Sequence, residues 1–169
     1  YILEIFRPFF EKEEILKVAY NFKFFLKILH RFGIKVNGKV FDPMVAHYLL
    51  NPDSRHNIEY LSEVYLKYIP ISEEILLGKG RKKILLSDIS LEKQTDFAGE
   101  GAEISYQLFD FFVPQLKNEN LEELFYSIEM PLMRVLAKME TEGITLDLDW
   151  LKKESTDLEG DLKELEQNI

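Results

Sequence analysis

An Asp-x-Glu triplet, Asp157-Leu158-Glu159, is the pattern in this chain that most invites a divalent cation, because hard ions of the magnesium type take oxygen ligands. It lies in a stretch of helical pattern among other charges, so it reads as a solvated face and not as a ligand pair. Glu100 and Glu103 also offer carboxylates. The three histidines, His30, His47 and His56, are scattered, with no His-x₃-His spacing, and read as surface or packed side chains. Lys79, Arg81, Lys82 and Lys83 form a single basic cluster around Gly78-Lys79-Gly80. That loop is too short for a phosphate-binding loop and lacks its Gly-Lys-Ser/Thr ending. With no Gly-x-Ser-x-Gly elbow and no cysteine, covalent hydrolase chemistry, disulfides and thiolate metal sites have no residues to work with.

The elements that would position these groups can be read from periodicity. Ile2, Ile5, Phe6, Phe9 and Phe10 predict an amphipathic helix over 2–13. Residues 15–20 and 40–41 are short strand candidates. Between them Asn21 can cap a helix whose Phe25, Ile28, Leu29 and Phe32 share a face, and Gly33 stops it. Asp42 then caps a helix with Pro43 at its first position, where the missing N–H costs nothing. Asn57 caps another, with Leu61, Val64, Tyr65 and Tyr68 inward. A further helix runs from Ser87 or Asp88 to about Phe112 and ends at Pro114. Leu121, Leu124, Phe125, Ile128, Leu132, Val135, Leu136 and Met139 predict a long helix kinked at Pro131 and closed at Gly143. Asp147 caps a last helix with Leu151, Leu158, Leu162, Leu165 and Ile169 at near-heptad spacing. Strand–helix–strand–helix followed by helices is an α/β pattern turning all-helical.

A chain of 169 residues, 46% hydrophobic and 13% aromatic, can build a core of its own. Tyr1 at the start and a helical pattern still running at the end suggest a piece of a longer polypeptide. No apolar run approaches the ~20 residues of a membrane span, so no membrane partner is expected. Absence of cysteine fits a cytoplasmic setting. The net charge of −9 argues against autonomous grip on nucleic-acid phosphates, which needs a basic face.

The segment Phe41-Asp-Pro-Met-Val-Ala-His-Tyr-Leu-Leu-Asn-Pro-Asp-Ser-Arg-His-Asn-Ile-Glu-Tyr-Leu-Ser-Glu-Val-Tyr-Leu66 closely resembles the proofreading, 3′–5′ exonuclease region of the bacterial family A DNA polymerases. Tyr126–Asp147, with Ile128-Glu-Met-Pro-Leu132 and Glu142-Gly-Ile-Thr-Leu-Asp147, resembles the junction where that region gives way to the polymerase domain. The resemblance implies a ribonuclease H-like fold, α/β but helix-dominated because its first strands are missing here. It implies an exonuclease-like domain over 1–120 and the start of the polymerase domain, with long thumb helices, over 121–169.

In that family carboxylates from three motifs hold two metal ions that stabilise the attacking and leaving oxygens. The first motif, an Asp-x-Glu on an early strand, falls outside this chain. The second aligns with Asn21-Phe22-Lys23-Phe24-Phe25, keeping the asparagine but placing Phe25 where the acid belongs. The third aligns with Phe97-Ala98-Gly99-Glu100-Gly101, so Phe97 replaces a tyrosine and Gly101 an acid. Glu100 and Glu103 lie about 100° and 200° around the helix from Gly101 and cannot take its place without re-registering it. Glycines 99 and 101 each cost about 1 kcal/mol against alanine in a helix, from either relaxed constraint or tight packing. Phe25 is expected to fill part of the emptied pocket.

The resemblance therefore implies neither a catalytic nor a metal-binding residue in this chain. The expected cofactor is magnesium, in a polymerase site beyond residue 169. DNA contacts come through the parent protein, with weak ones at most from Arg55, Lys79, Arg81, Lys82 and Lys83; an ion pair to Asp53 is the rival role for Arg55. Leu151, Leu158, Leu162 and Leu165 are expected to support self-association. Two alternatives stay open: an active exonuclease recruiting Glu100 or Glu103, and a non-enzymatic helical interaction module.

Overall fold

In the computed structural model residues 2–80 and 83–168 are described. The chain divides into two compact units, Tyr1–Met139 and Glu140–Ile169.

The first unit begins with α1 (Ile2–Glu11) and a two-residue strand, β1 (Lys17–Val18). Then come α2 (Phe22–Arg31) and β2 (Val40–Phe41), which pairs parallel with β1 in the register Lys17–Val40 and Val18–Phe41. The turn into β2 needs Gly38, at φ +75°, because a Cβ there would stand 2.3 Å from the Glu13 carbonyl oxygen. Next are α3 (Pro43–Leu50), α4 (Ile58–Leu61) continuing as a π-helical turn Ser62–Leu66, and α5 (Glu73–Leu77). A 3₁₀ turn, Leu86–Asp88, precedes α6 (Leu91–Asn118), whose cap is Ser90 and not the expected Ser87 or Asp88. The last elements are α7 (Glu122–Leu124), a second π turn Phe125–Glu129 and α8 (Met130–Glu142), whose residues up to Met139 belong to this unit.

The core lies where α3 and α6 close over β2. Ile104, Leu108, Phe112 and Leu116, four apart along α6, are all buried. Phe41 sits between Phe109, 4.9 Å away and near perpendicular, and Phe125, at 4.8 Å. This packing explains why α6 runs through Pro114 instead of ending there. Phe112 and Leu116, on either side of the proline, are 0% and 1% exposed, and their burial outweighs the missing backbone hydrogen bond.

The expected stripe after Leu121 is corrected by the second π turn. In an unbroken helix Phe125, Leu132 and Leu136 would share a face. The wide turn absorbs one extra residue, so the buried positions become Met130, Met133 and Ala137. Ile128, Leu132, Val135, Leu136 and Met139 are exposed instead. The helix closes at Gly143, at φ +72°, as its position predicts.

The second unit is dominated by α9 (Leu148–Gln167). Asp147 caps it, accepting from the Trp150 amide at 3.0 Å. Leu151, Leu158, Leu162 and Leu165 are exposed along it; Ile169 lies outside the described residues. No helix among the described residues is long and apolar enough to cross a membrane.

Candidate functional site

The chain leaves β1 toward α2 through residues 19–22, and every backbone amide there is accounted for. The Ala19 N–H donates to the Phe41 carbonyl at 3.2 Å, and the Tyr20 N–H to Ser105 Oγ at 3.2 Å. Ser105 Oγ in turn donates to the Gly101 carbonyl at 2.7 Å. Asn21 is in the left-handed region, φ 54° and ψ 53°, and its side chain makes no capping bond, contrary to expectation. A capping side chain reaches the next amides from an extended backbone, which Asn21 does not have. Asp42 caps α2 in its place: Oδ1 accepts from the Asn21 N–H at 3.1 Å and Oδ2 from the Phe22 N–H at 2.7 Å.

Asp42 therefore serves two helices, because Oδ1 also accepts from the Met44 N–H at 2.9 Å at the start of α3. Its side chain is wholly buried. Burial pushes the carboxyl up to about 6, against the pull of the amides of Phe22, Met44, Asn21 and Val45. Sequence reading found the α3 cap; the reach back across the sheet to α2 depends on the β1–β2 pairing and has no local signal.

The residues aligned with the second and third motifs lie on the elements joined by this junction. Phe22 is buried, but Phe25, about 60° around α2 from it, is 44% exposed. Its ring meets that of Phe24 edge-on at 6.0 Å, on an exposed side of α2, where a pocket-filling position was expected. Phe97 is half-buried on α6. A Cβ at Gly99 or Gly101 would meet nothing within 4 Å, which removes tight packing as the reason for either glycine. Gly101 is linked to the β1–α2 junction through Ser105.

The two glutamates considered as substitute ligands are engaged elsewhere. Glu100 accepts from the Tyr68 hydroxyl at 2.6 Å and from the Ile71 N–H at 2.7 Å. This bond holds Tyr68 at the surface, where an inward position was expected, and raises the pKa of its hydroxyl. Glu103 accepts from Gln107 Nε2 at 2.7 Å, one turn along α6. No group of three or more His, Cys, Asp or Glu side chains among the described residues converges closely enough to hold a metal.

Of the weak DNA-contact candidates, Lys79 pairs with Glu74 at 3.0 Å and Lys83 with Glu73 at 2.6 Å, both exposed. Arg81 and Lys82 lie outside the described residues. Arg55 is exposed and, among the described residues, makes no ion pair with Asp53. Asn57 stands at the start of α4, but its amide donates to Glu59 at 2.8 Å instead of capping.

The histidines are less scattered than their spacing implied. His47 Nδ1 lies 2.7 Å from His56 Nδ1, and His47 Nε2 lies 2.8 Å from the Tyr65 hydroxyl. Asn51 donates to the same hydroxyl at 3.3 Å, and Tyr20 donates to the His56 carbonyl at 3.0 Å. His47 is wholly buried against the Phe112 ring, 5.7 Å away. Burial and the charge of His56 lower its pKa to about 4. The pair is formed by the turn between α3 and α4, which brings positions 47 and 56 together without any periodic signal. His30 is exposed on α2.

Residues 1–117 match the family described as 3′–5′ exonuclease in DNA polymerase A. The chain is 34% identical over 169 residues to a DNA polymerase I of Borreliella burgdorferi, covering 100% of this chain and 18% of that protein. It is 32% identical over 167 residues to the DNA polymerase I of Bacillus subtilis, and 35% identical over 149 residues to that of Chloroflexus aurantiacus. These cover 98% and 86% of this chain, but 19% and 16% of the relatives.

Proposed function

The chain belongs to the 3′–5′ exonuclease family of DNA polymerase A, and from the side chains at its motif positions we infer a degenerate proofreading domain that serves as a scaffold. On this reading it forms part of a bacterial DNA polymerase I acting in DNA replication and repair in the cytoplasm. It keeps the ribonuclease H-like fold without its first strands, has lost exonuclease chemistry, and holds the polymerase domain that follows from about residue 121. DNA and magnesium are engaged by the parent protein outside this chain.

One observation carries the reading: the donor set at the motif positions. Two hard cations need several carboxylate oxygens at close range. Phe25, Phe97 and Gly101 bring none in their side chains, and Asn21 retains only an amide. Both oxygens of Glu100 are held by Tyr68 and Ile71, so recruiting it would first break two hydrogen bonds. The residues present do not fit a metal pair.

The test is a primer assay on the full-length parent with magnesium. It extends matched primers and leaves mismatched 3′ ends untrimmed. Trimming that disappears when Glu100 or Glu103 is replaced by glutamine would reinstate an active exonuclease with substitute ligands. Leu151, Leu158, Leu162 and Leu165 of α9 give the isolated chain its route to self-association.

A further inference from the structure

A cavity of about 230 Å³ opens between the turn into β2 and the start of α8, lined by Gly38, Lys39, Val40, Tyr126, Met130, Pro131 and Arg134. It lies below the about 300 Å³ at which pockets for drug-sized molecules begin, so it suits a small ligand. Its unusual property is charge. In a chain of net charge −9, Lys17, Lys39 and Arg134 gather around residues 36–39 with no carboxylate in ion-pair contact among the described residues.

These cations are held by main-chain oxygens. Arg134 Nη1 donates to the Val36 carbonyl at 2.6 Å and Nη2 to the Gly38 carbonyl at 2.9 Å. Lys17, 3% exposed, donates through Nζ to the Asn37 carbonyl at 2.7 Å and to the Lys12 carbonyl. Carbonyls satisfy the N–H donors but carry only partial charge. Burial and the charge of Arg134 lower the Lys17 pKa, with the charges of Glu14 and Glu13 acting the other way. The guanidinium of Arg134 keeps N–H groups beyond the two it spends on the turn. Lys39 Nζ stands 5.5 Å above the Tyr126 ring, on the rim of the same cavity. Lys17 is buried and Arg134 half-buried, and like charges so placed without a counter-ion are costly; Lys39 adds an exposed cation at the mouth of the cavity.

We propose that this cavity is an anion site for a phosphate dianion, free or esterified to a small organic group, held between Arg134 and Lys39 with its apolar part against Val40, Met130 and Pro131. Arg134 supplies planar, fixed donors matched to phosphate oxygens, and Lys39 a mobile point charge. Tyr126 keeps Lys39 over the opening.

Calorimetric titration of the 169-residue chain with inorganic phosphate, glycerol 3-phosphate and glycerol tests this at constant ionic strength. Saturable binding of a phosphate-bearing ligand is expected, with Kd below about 1 mM. Binding of both phosphates equally assigns the site to free phosphate, and preference for the ester assigns it to a phosphomonoester. Lys39→Met, which breaks no structural hydrogen bond, is expected to weaken binding about tenfold and leave the unliganded melting temperature unchanged. Arg134→Lys tests the fork without removing charge, and Lys83→Met leaves affinity as it was. Absence of saturable binding, equal binding of glycerol, or a Lys39→Met affinity equal to the parent's would each overturn the proposal.

Discussion

Two buried titratable side chains pull the pH dependence of stability in opposite directions, and replacing Asp42 by asparagine should separate them. The folded-state pKa of Asp42 is raised from 3.8 to about 6. Its contribution is therefore fully present below pH 4 and lost as pH rises through 6. The pKa of His47 is lowered from 6.5 to about 4, so its contribution is present above pH 6.5 and lost as pH falls toward 4. Each shift spans about two units or slightly more, worth about 3 kcal/mol at 1.36 kcal/mol per unit. In the unaltered chain the two largely offset one another between pH 4 and 6.5. In Asp42→Asn only the histidine remains, so stability relative to the parent should fall by about 3 kcal/mol on acidification from pH 6.5 to 4. This adds to a loss at neutral pH of about 1–2 kcal/mol for two weakened helix caps. Urea denaturation of both chains at pH 4, 5 and 6.5 measures the difference, and exposed carboxylates shared by the two cancel in it. Parallel stability profiles would refute the reasoning.

Other expectations rest on separate features. Gly99→Ala and Gly101→Ala should each stabilise the chain by about 1 kcal/mol in chemical denaturation, because the added methyl meets nothing and the helix gains propensity. Gly38→Ala should destabilise it strongly in the same assay, since the new Cβ collides with the Glu13 carbonyl. Phe112→Ala empties a fully buried ring position and should cost about 3–5 kcal/mol, enough to leave much of the population unfolded by circular dichroism. Leu158→Lys with Leu165→Lys should abolish any concentration-dependent association seen in sedimentation, without loss of helix signal.

The parts of the fold readable from sequence are those written locally. Pro43 after Asp42, Gly143 after a periodic run and Asp147 before another each mark a helix end through their own chemistry. The two strands were also legible as apolar runs, but not the register that pairs Val18 with Phe41, since the buried residue of the first strand is Lys17. What was not legible depends on distant partners. Pro114 stops a helix in isolation, but buried Phe112 and Leu116 keep it going. Phe25 looks like core by composition, yet lies at the margin of α2's inward face. At the candidate site the identities Phe25, Phe97 and Gly101 were plain in the sequence, whereas the double reach of Asp42 and the His47–His56 contact arise only once β2 and the α3–α4 turn are folded.

The wide turn at Phe125–Glu129 works as a slack coil one residue long. A variant shortened by one position there could draw the turn up to ordinary pitch and still tuck Met130, Met133 and Ala137 inside. The same loss between Met133 and Ala137 has no such reserve, and would swing Lys138 into the place of a buried methyl group. Length changes along this helix should therefore be tolerated at its wide turn and punished a few residues later.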